Sequence, residues 1–177
     1  MSNAKFEICT RWNQYPIEDI KLPERSTAHA AGYDFFAPAD IDIMPGEQKM
    51  IWTDIKVKLA PNQFLMLLPR SSYGVKKHLK MSNTCGIVDS DYYNNSDNEG
   101  NIGICLYNYN ASFVENHKMH RHCQDGFVTY DEQIFNELTA HIKKGDRIAQ
   151  GIIMTYDTAI NDTGNGVRSG GFGSTGE

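Results

Sequence analysis

The stretch DIDIMPGEQKMIWTDIKVKLAPNQFLMLLP, Asp40 to Pro69, decides the fold class. Ile41 and Ile43 alternate with Asp, and Pro45-Gly46 then supplies a turn. Ile55, Val57 and Leu59 alternate with charged residues until Pro61-Asn62 breaks the run. Phe64 to Leu68 is continuously apolar, the pattern of a strand buried on both faces. Downstream, Ile102, Ile104 and Leu106 alternate again. Short strands, frequent turns and almost no helical periodicity predict an all-β barrel or sandwich.

Two stretches break the rhythm. NNSDNEGN, Asn94 to Asn101, reads as a solvated loop. Residues 111–137 are rich in His and charge with weak periodicity, and read as an insertion within a single domain spanning 1–177. Tyr109-Asn110 and Leu138 onward read as two arms of a hairpin carrying that insertion at its tip. Ile134, Phe135 and Leu138 are spaced for a helical turn, whereas Leu138, Ala140 and Ile142 alternate like a strand, so both readings stand there. His117, His120, His122 and Cys123 match no standard zinc spacing and read as surface residues of the insertion. Residues 161–177 hold six glycines and two bulky apolar side chains, too little surface to order alone, and predict a flexible C-terminal arm.

Composition narrows the function. The chain has 177 residues, 40% hydrophobic and 22% charged, a globular balance. A net charge of −5 argues against a nucleic-acid-coating surface, yet a few arginines and backbone amides can still hold polyphosphate. No apolar run is long enough to span a membrane. The opening MSNA carries no basic or apolar leader, and the four cysteines form no CxxC pair, which predicts a reducing, cytoplasmic setting.

Several segments carry chemistry. AGYDFFA, Ala31 to Ala37, sets Asp34 among aromatic and small residues. PRSSYG, Pro69 to Gly74, offers Arg70, Ser71 and Ser72 at a strand end, a combination suited to clamping phosphate. GIVDSDYY, Gly86 to Tyr93, puts Asp89 and Asp91 on one face of an extended segment beside an aromatic ring. KKGDRIAQ, Lys143 to Gln150, is a turn entering a strand. RSGGFGSTG, Arg168 to Gly176, can wrap its amides around phosphate while Phe172 covers a base.

In this order the segments resemble the five motifs of the trimeric deoxyuridine triphosphatase (dUTPase) family. Arg70 precedes Asp89 by 19 residues, the family's usual spacing. The resemblance runs from about Leu22 to the end, outside the two interrupting stretches. It implies a jelly-roll-like β barrel assembled as a homotrimer, with active sites shared between subunits and the arm supplied by a third one. It further implies hydrolysis of dUTP to dUMP and pyrophosphate, which keeps uracil out of DNA and supplies dUMP for dTMP synthesis, with Mg²⁺ on the triphosphate. By the same resemblance Asp89 is the general base that activates water. Tyr92 underlies the deoxyribose and excludes a 2′-hydroxyl. Asn83 to Gly86, with Val88, form the hairpin that reads uracil. Arg70, Ser71, Ser72 and Gln150 contact phosphates, and Arg168, Phe172, Ser174 and Thr175 close from the arm. Asp34 reaches Mg²⁺ through water or supports the site, and Arg147 is equally a structural ion-pair partner. The chain departs from the family pattern after Tyr93, where the polar tract lengthens the hairpin, and at Arg168, one residue closer to Phe172 than is common. The insertion stands where some phage members of the family carry one that binds a repressor, which implies a protein partner for 111–137. The related dCTP deaminases and a binding-only relative are the rival readings; the order Val88-Asp89-Ser90-Asp91-Tyr92 favours the triphosphatase.

Overall fold

Two of the turns read from the sequence rest on glycine. Gly46 and Gly145 have φ of 78° and 83°, left-handed values that suit a residue without a Cβ. The computed structural model describes residues 4–110, 136–166, 168 and 170–171, and the backbone alone of 122–124 and 127–129. Its strands are β1 (Lys5–Ile8), β2 (Tyr33–Phe36), β3 (Ile41–Ile43), β4 (Gln48–Trp52), β5 (Ile55–Lys58), β6 (Gln63–Pro69), β7 (Leu79–Met81), β8 (Gly86–Asp89), β9 (Gly103–Asn108), β10 (His122–Gln124), β11 (Phe127–Thr129), β12 (Ala140–Ile142) and β13 (Arg147–Thr155), with one short helix, α1 (Ser71–Lys76).

The pairings are antiparallel and, β10-β11 apart, join non-consecutive strands, which gives a jelly-roll-like, all-β architecture. The largest sheet runs β2-β13-β6-β8, beside a sheet of order β4-β9-β7 and the pairs β1-β5, β3-β12 and β10-β11. Between the layers Phe35, Ile51, Leu65, Leu67, Ile104 and Ile148 are sealed from solvent. Burial of each such side chain contributes about 1.5–3 kcal/mol.

Four expectations change here. Leu65 and Leu67 of β6 are buried, but Phe64, Met66 and Leu68 on the opposite face are only half-covered, so the run is not buried on both faces within one chain. The polar tract is not a solvated loop: Asn95, Asn98, Glu99 and Asn101 are all buried. Their side chains are satisfied internally, which makes burial tolerable. Asn95 Oδ1 accepts from the Asp97 and Asn98 amides, and Asn101 bridges Asp54 and the Trp12 carbonyl. Glu99 accepts from the Thr10 and Arg11 amides and from Lys56 Nζ at 2.6 Å. Lys56, which alternation would send to solvent, is therefore buried. Residues 83–86 do not close a hairpin either, because β7 pairs with β9 and β8 with β6, so the turn passes between two sheets. Likewise β9 and β12 are not hairpin partners, since β9 lies between β4 and β7 while β12 pairs with β3. The strand reading prevails for 140–142, after one helical turn at 136–138. The residues on either side of 111–137 still meet: Asn108 and Asn110 both donate to the Leu138 carbonyl, at 2.9 and 3.1 Å. His117, His120 and the side chains of His122 and Cys123 lie outside the described residues.

Candidate active site

The residues singled out from the sequence gather at two places on the four-stranded sheet. The first is built where β2, β13 and β6 run side by side. Gln150 of β13 is in register with Asp34 on one side and Leu68 on the other, so Asp34, Gln150 and the end of β6 come together. Asp34 is buried, and its carboxylate takes Arg70 Nη1 at 2.5 Å, Ser26 Oγ at 2.7 Å and Arg147 Nη1 at 3.4 Å. A buried carboxylate so engaged fixes the orientation of the Arg70 guanidinium through a charge-assisted hydrogen bond. Arg70 is in extended backbone, and Ser71 and Ser72 open α1 with both hydroxyls exposed. The strand end foreseen for these serines is therefore the start of a helical turn. Gln150 packs over Gly32, where a Cβ would lie 2.3 Å from Gln150 Cγ and Cδ. That close approach explains the glycine in AGYD, which carried no role in the sequence. Ser26 was missed too, since nothing in its local pattern points at Asp34.

The second place lies at the far end of β8. Asp89 ends the strand opposite Phe64 of β6, and Ser90–Tyr92 form a 3-10 turn. Asp89 and Asp91 are thus not on one face of an extended segment; the turn brings both to a single guanidinium. Arg168 Nη2 donates to Asp89 Oδ2 and Arg168 Nε to Asp91 Oδ1, each at 2.9 Å. The Arg168 carbon Cζ sits 5.6 Å from the centre of the Tyr92 ring. Tyr92 is buried, donates to the Asn101 carbonyl at 3.1 Å and accepts from Asn98 Nδ2 at 2.6 Å. Burial raises its phenol pKa, so the hydroxyl stays protonated at neutral pH. The Val88 side chain is in the core, which leaves only its backbone for any ligand. Asn83 is exposed at the turn before Gly86, where Thr84 has φ of 64°. Phe172, Ser174 and Thr175 lie outside the described residues.

The two places are well separated. Asp89 faces Phe64, and Arg70 lies six residues further on, just past the end of β6, roughly 20 Å away along the backbone at about 3.3 Å per residue. Within this chain Arg168 reaches both carboxylates.

Arg70 beside two exposed hydroxyls at one place, and two carboxylates on one guanidinium at another, are chemistry suited to a phosphate-handling β-barrel enzyme. The dUTPase family model matches residues 18–138. The chain is 35% identical to the deoxyuridine 5'-triphosphate nucleotidohydrolase of Lactococcus lactis subsp. lactis (strain IL1403), over 97% of this chain and 96% of that one. Among solved structures it is similar to the dUTPase of Streptococcus mutans, with TM-score 0.66, 30% identity and coverage of 87% of this chain and 97% of the other. It is also similar to a mutant dUTPase from phage phi11 of S. aureus, at TM-score 0.64 and 26% identity, covering 89% and 93%. The chain belongs to the dUTPase family, and its activity is that of a dUTP diphosphatase.

Proposed function

We propose that the chain converts dUTP to dUMP and pyrophosphate at sites completed by neighbouring subunits of a homotrimer. The separation of Asp89 from Arg70 carries this reading. A base acting through one water works within about 3 Å of the groups it serves, so a clamp roughly 20 Å away in the same chain cannot hold the same triphosphate. A symmetric oligomer brings the Asp89 end of one subunit to the Arg70 end of the next. The uncovered face of the four-stranded sheet supports this, because Ile87 and Met154 are 54% and 39% exposed beside the half-covered Met66 and Phe64.

In this reading Asp89 orients and deprotonates the water that attacks the α-phosphorus. Arg70, held by Asp34, clamps phosphate with Ser71, Ser72 and Gln150. Asp34 is a support rather than a ligand, since Arg70, Arg147 and Ser26 already engage its oxygens. The 83–86 turn, with the Val88 backbone, reads the uracil edge, and Tyr92 limits the space beneath the sugar. Phe172, Ser174 and Thr175 follow Arg168 onto the bound nucleotide. Mg²⁺, which neutralises charge on the triphosphate, keeps phosphate and water as its ligands. The phi11 relative's structure is described as revealing the coordination of a structural Mg(II) ion. The reading places the enzyme in the cytoplasm and gives the 111–137 segment a protein partner.

An assay of pyrophosphate release from dUTP, with ammonia measured in parallel, tests the reaction and its deaminase rival. Asp89→Asn is expected to cut turnover by about 10²–10⁴ while dUTP still binds. Mixing Asp89→Asn subunits with Arg70→Ala subunits is expected to restore activity in about one quarter of the shared sites. No recovery after verified subunit exchange would rule out sharing.

A further inference from the structure

The start of β13 carries a guanidinium to which the reaction described above gives no task. Gln150 stands opposite Asp34 and Ala149 opposite Phe35, but Arg147 stands opposite Phe36, so one extra residue is fitted between Arg147 and Ala149. Strict alternation would put Arg147 on the same face as Ala149, which is sealed in the core. The bulge instead absorbs Ile148, buried beside Ala149, and turns Arg147 to the face of Asp34 and Gln150. Bulges re-aim side chains in this way next to active sites. There Arg147 Nη1 lies 3.4 Å from Asp34 Oδ2 and donates to Ser26 Oγ at 3.3 Å, while Arg70 Nη1 donates to the other carboxylate oxygen, Oδ1, at 2.5 Å. Two guanidiniums thus stand on one carboxylate. Two cations against one anion leave a surplus of positive charge, in a chain whose net charge is −5. The Asp34 side chain is 2% exposed, whereas those of Arg70 and Arg147 are 26% and 47% exposed. The anion is covered and both cations are open. Among the described residues, each arginine engages the protein through its Nη1 group alone. Nε and Nη2 of both are left to form the fork that grips phosphate oxygens.

We propose that Arg147 is a second phosphate-binding residue, forming with Arg70 a paired clamp on the β- and γ-phosphates, the two that leave as pyrophosphate. The inference rests on Arg70 holding phosphate, as read above. In the reaction the water's oxygen joins the α-phosphorus and its proton passes to Asp89. The bond from the α-phosphorus to the bridging oxygen breaks, and its electron pair leaves on pyrophosphate. Negative charge therefore grows on the leaving group, where two fixed guanidiniums stabilise it. Asp34 keeps two like charges together before any anion arrives, because its own charge offsets their repulsion.

The test uses the full-length enzyme, with steady-state hydrolysis of dUTP and inhibition by pyrophosphate and by dUMP, all in excess Mg²⁺. Arg147→Gln is expected to raise the KM for dUTP and the inhibition constant of pyrophosphate about tenfold each, while that of dUMP changes by less than about twofold. Arg147→Lys should recover only part of the loss, because an ammonium keeps the charge without the planar fork. The fold should survive in both variants, since Asp34 retains Arg70 and Ser26, and a melting curve checks this. Joining Arg70→Gln to Arg147→Gln should multiply the two losses, because the residues grip different phosphate oxygens. A double variant no worse than Arg70→Gln would mean that Arg147 acts only through Asp34, and would overturn the proposal. Unchanged pyrophosphate inhibition in Arg147→Gln, or an equal loss against dUMP, would overturn it as well. Failure of the clamp reading itself looks different: Arg70→Gln alone would then leave KM and pyrophosphate inhibition unmoved, and the paired clamp would fall with it.

Discussion

Replacing Lys56 with methionine probes the buried pair that anchors the 94–101 tract. Lys56 Nζ lies 2.6 Å from Glu99 Oε1, and the two side chains are only 9% and 2% exposed. Methionine keeps an unbranched apolar stem but removes the cation, leaving Glu99 with the Thr10 and Arg11 donors alone. Two independent routes give the magnitude. Burial pushes the Glu99 pKa up, but hydrogen bonds from Lys56, Arg11 and Thr10 outweigh it and hold the group at about 2, against an ordinary 4.5. A depression of that size corresponds to roughly 3 kcal/mol at neutral pH for the three donors together, which bounds the share of Lys56 from above. Removing one partner of a buried ion pair costs about 3–5 kcal/mol. The expected loss is therefore about 3 kcal/mol. The sign of the pH dependence follows from the lowered pKa: the stabilisation is complete above about pH 4.5 and fades as pH falls toward 2. Urea unfolding of both proteins at one fixed concentration, from pH 7 down to about pH 3, should show a gap that narrows below about pH 4.5. A neutral-pH gap under about 1 kcal/mol, or one that stays constant on acidification, would refute the reasoning.

Three further outcomes follow from the same contacts. Tyr92→Ala removes a buried ring and its two hydrogen bonds, so a loss of about 3–5 kcal/mol by calorimetry should accompany any gain in UTP turnover; a stable variant would contradict the burial. Gly32→Ala should displace Gln150 and raise KM for dUTP several-fold with the fold intact, and an unchanged KM would remove Gln150 from phosphate binding. Deleting Phe113 to Phe135, bridged by a short glycine-containing turn, should leave dUTP hydrolysis and abolish binding of any partner of that segment. Loss of both activity and assembly on a sizing column would show that the segment packs into the body.

Legibility from the sequence differed sharply between parts. Strands such as β3 and β9 announce themselves because one face is buried, which imposes a period of two on the residues. Arg70, Asp89 and Arg168 drew attention only through the order of the short motifs that hold them, and their contacts with Asp34 and with one another come from the fold. The polar tract misled because Asn, Asp and Gly commonly mark exposed turns. Here the same side chains satisfy one another and three N-terminal residues 85 or more positions away, a pairing with no local signature. The Asp34–Arg70 contact spans 36 positions and depends on β13 lying between β2 and β6, so only the topology reveals it.

The joint at Leu138 has a consequence for how such a chain can vary. A single carbonyl receives both Asn108 and Asn110, so the residues that flank segment 111–137 stand side by side. Whatever its length, an excursion spliced there puts no stretch on β9 or β12, whose partners lie in other strands. An engineer could therefore seat a reporter or affinity module between Asn110 and Leu138 in place of the native segment.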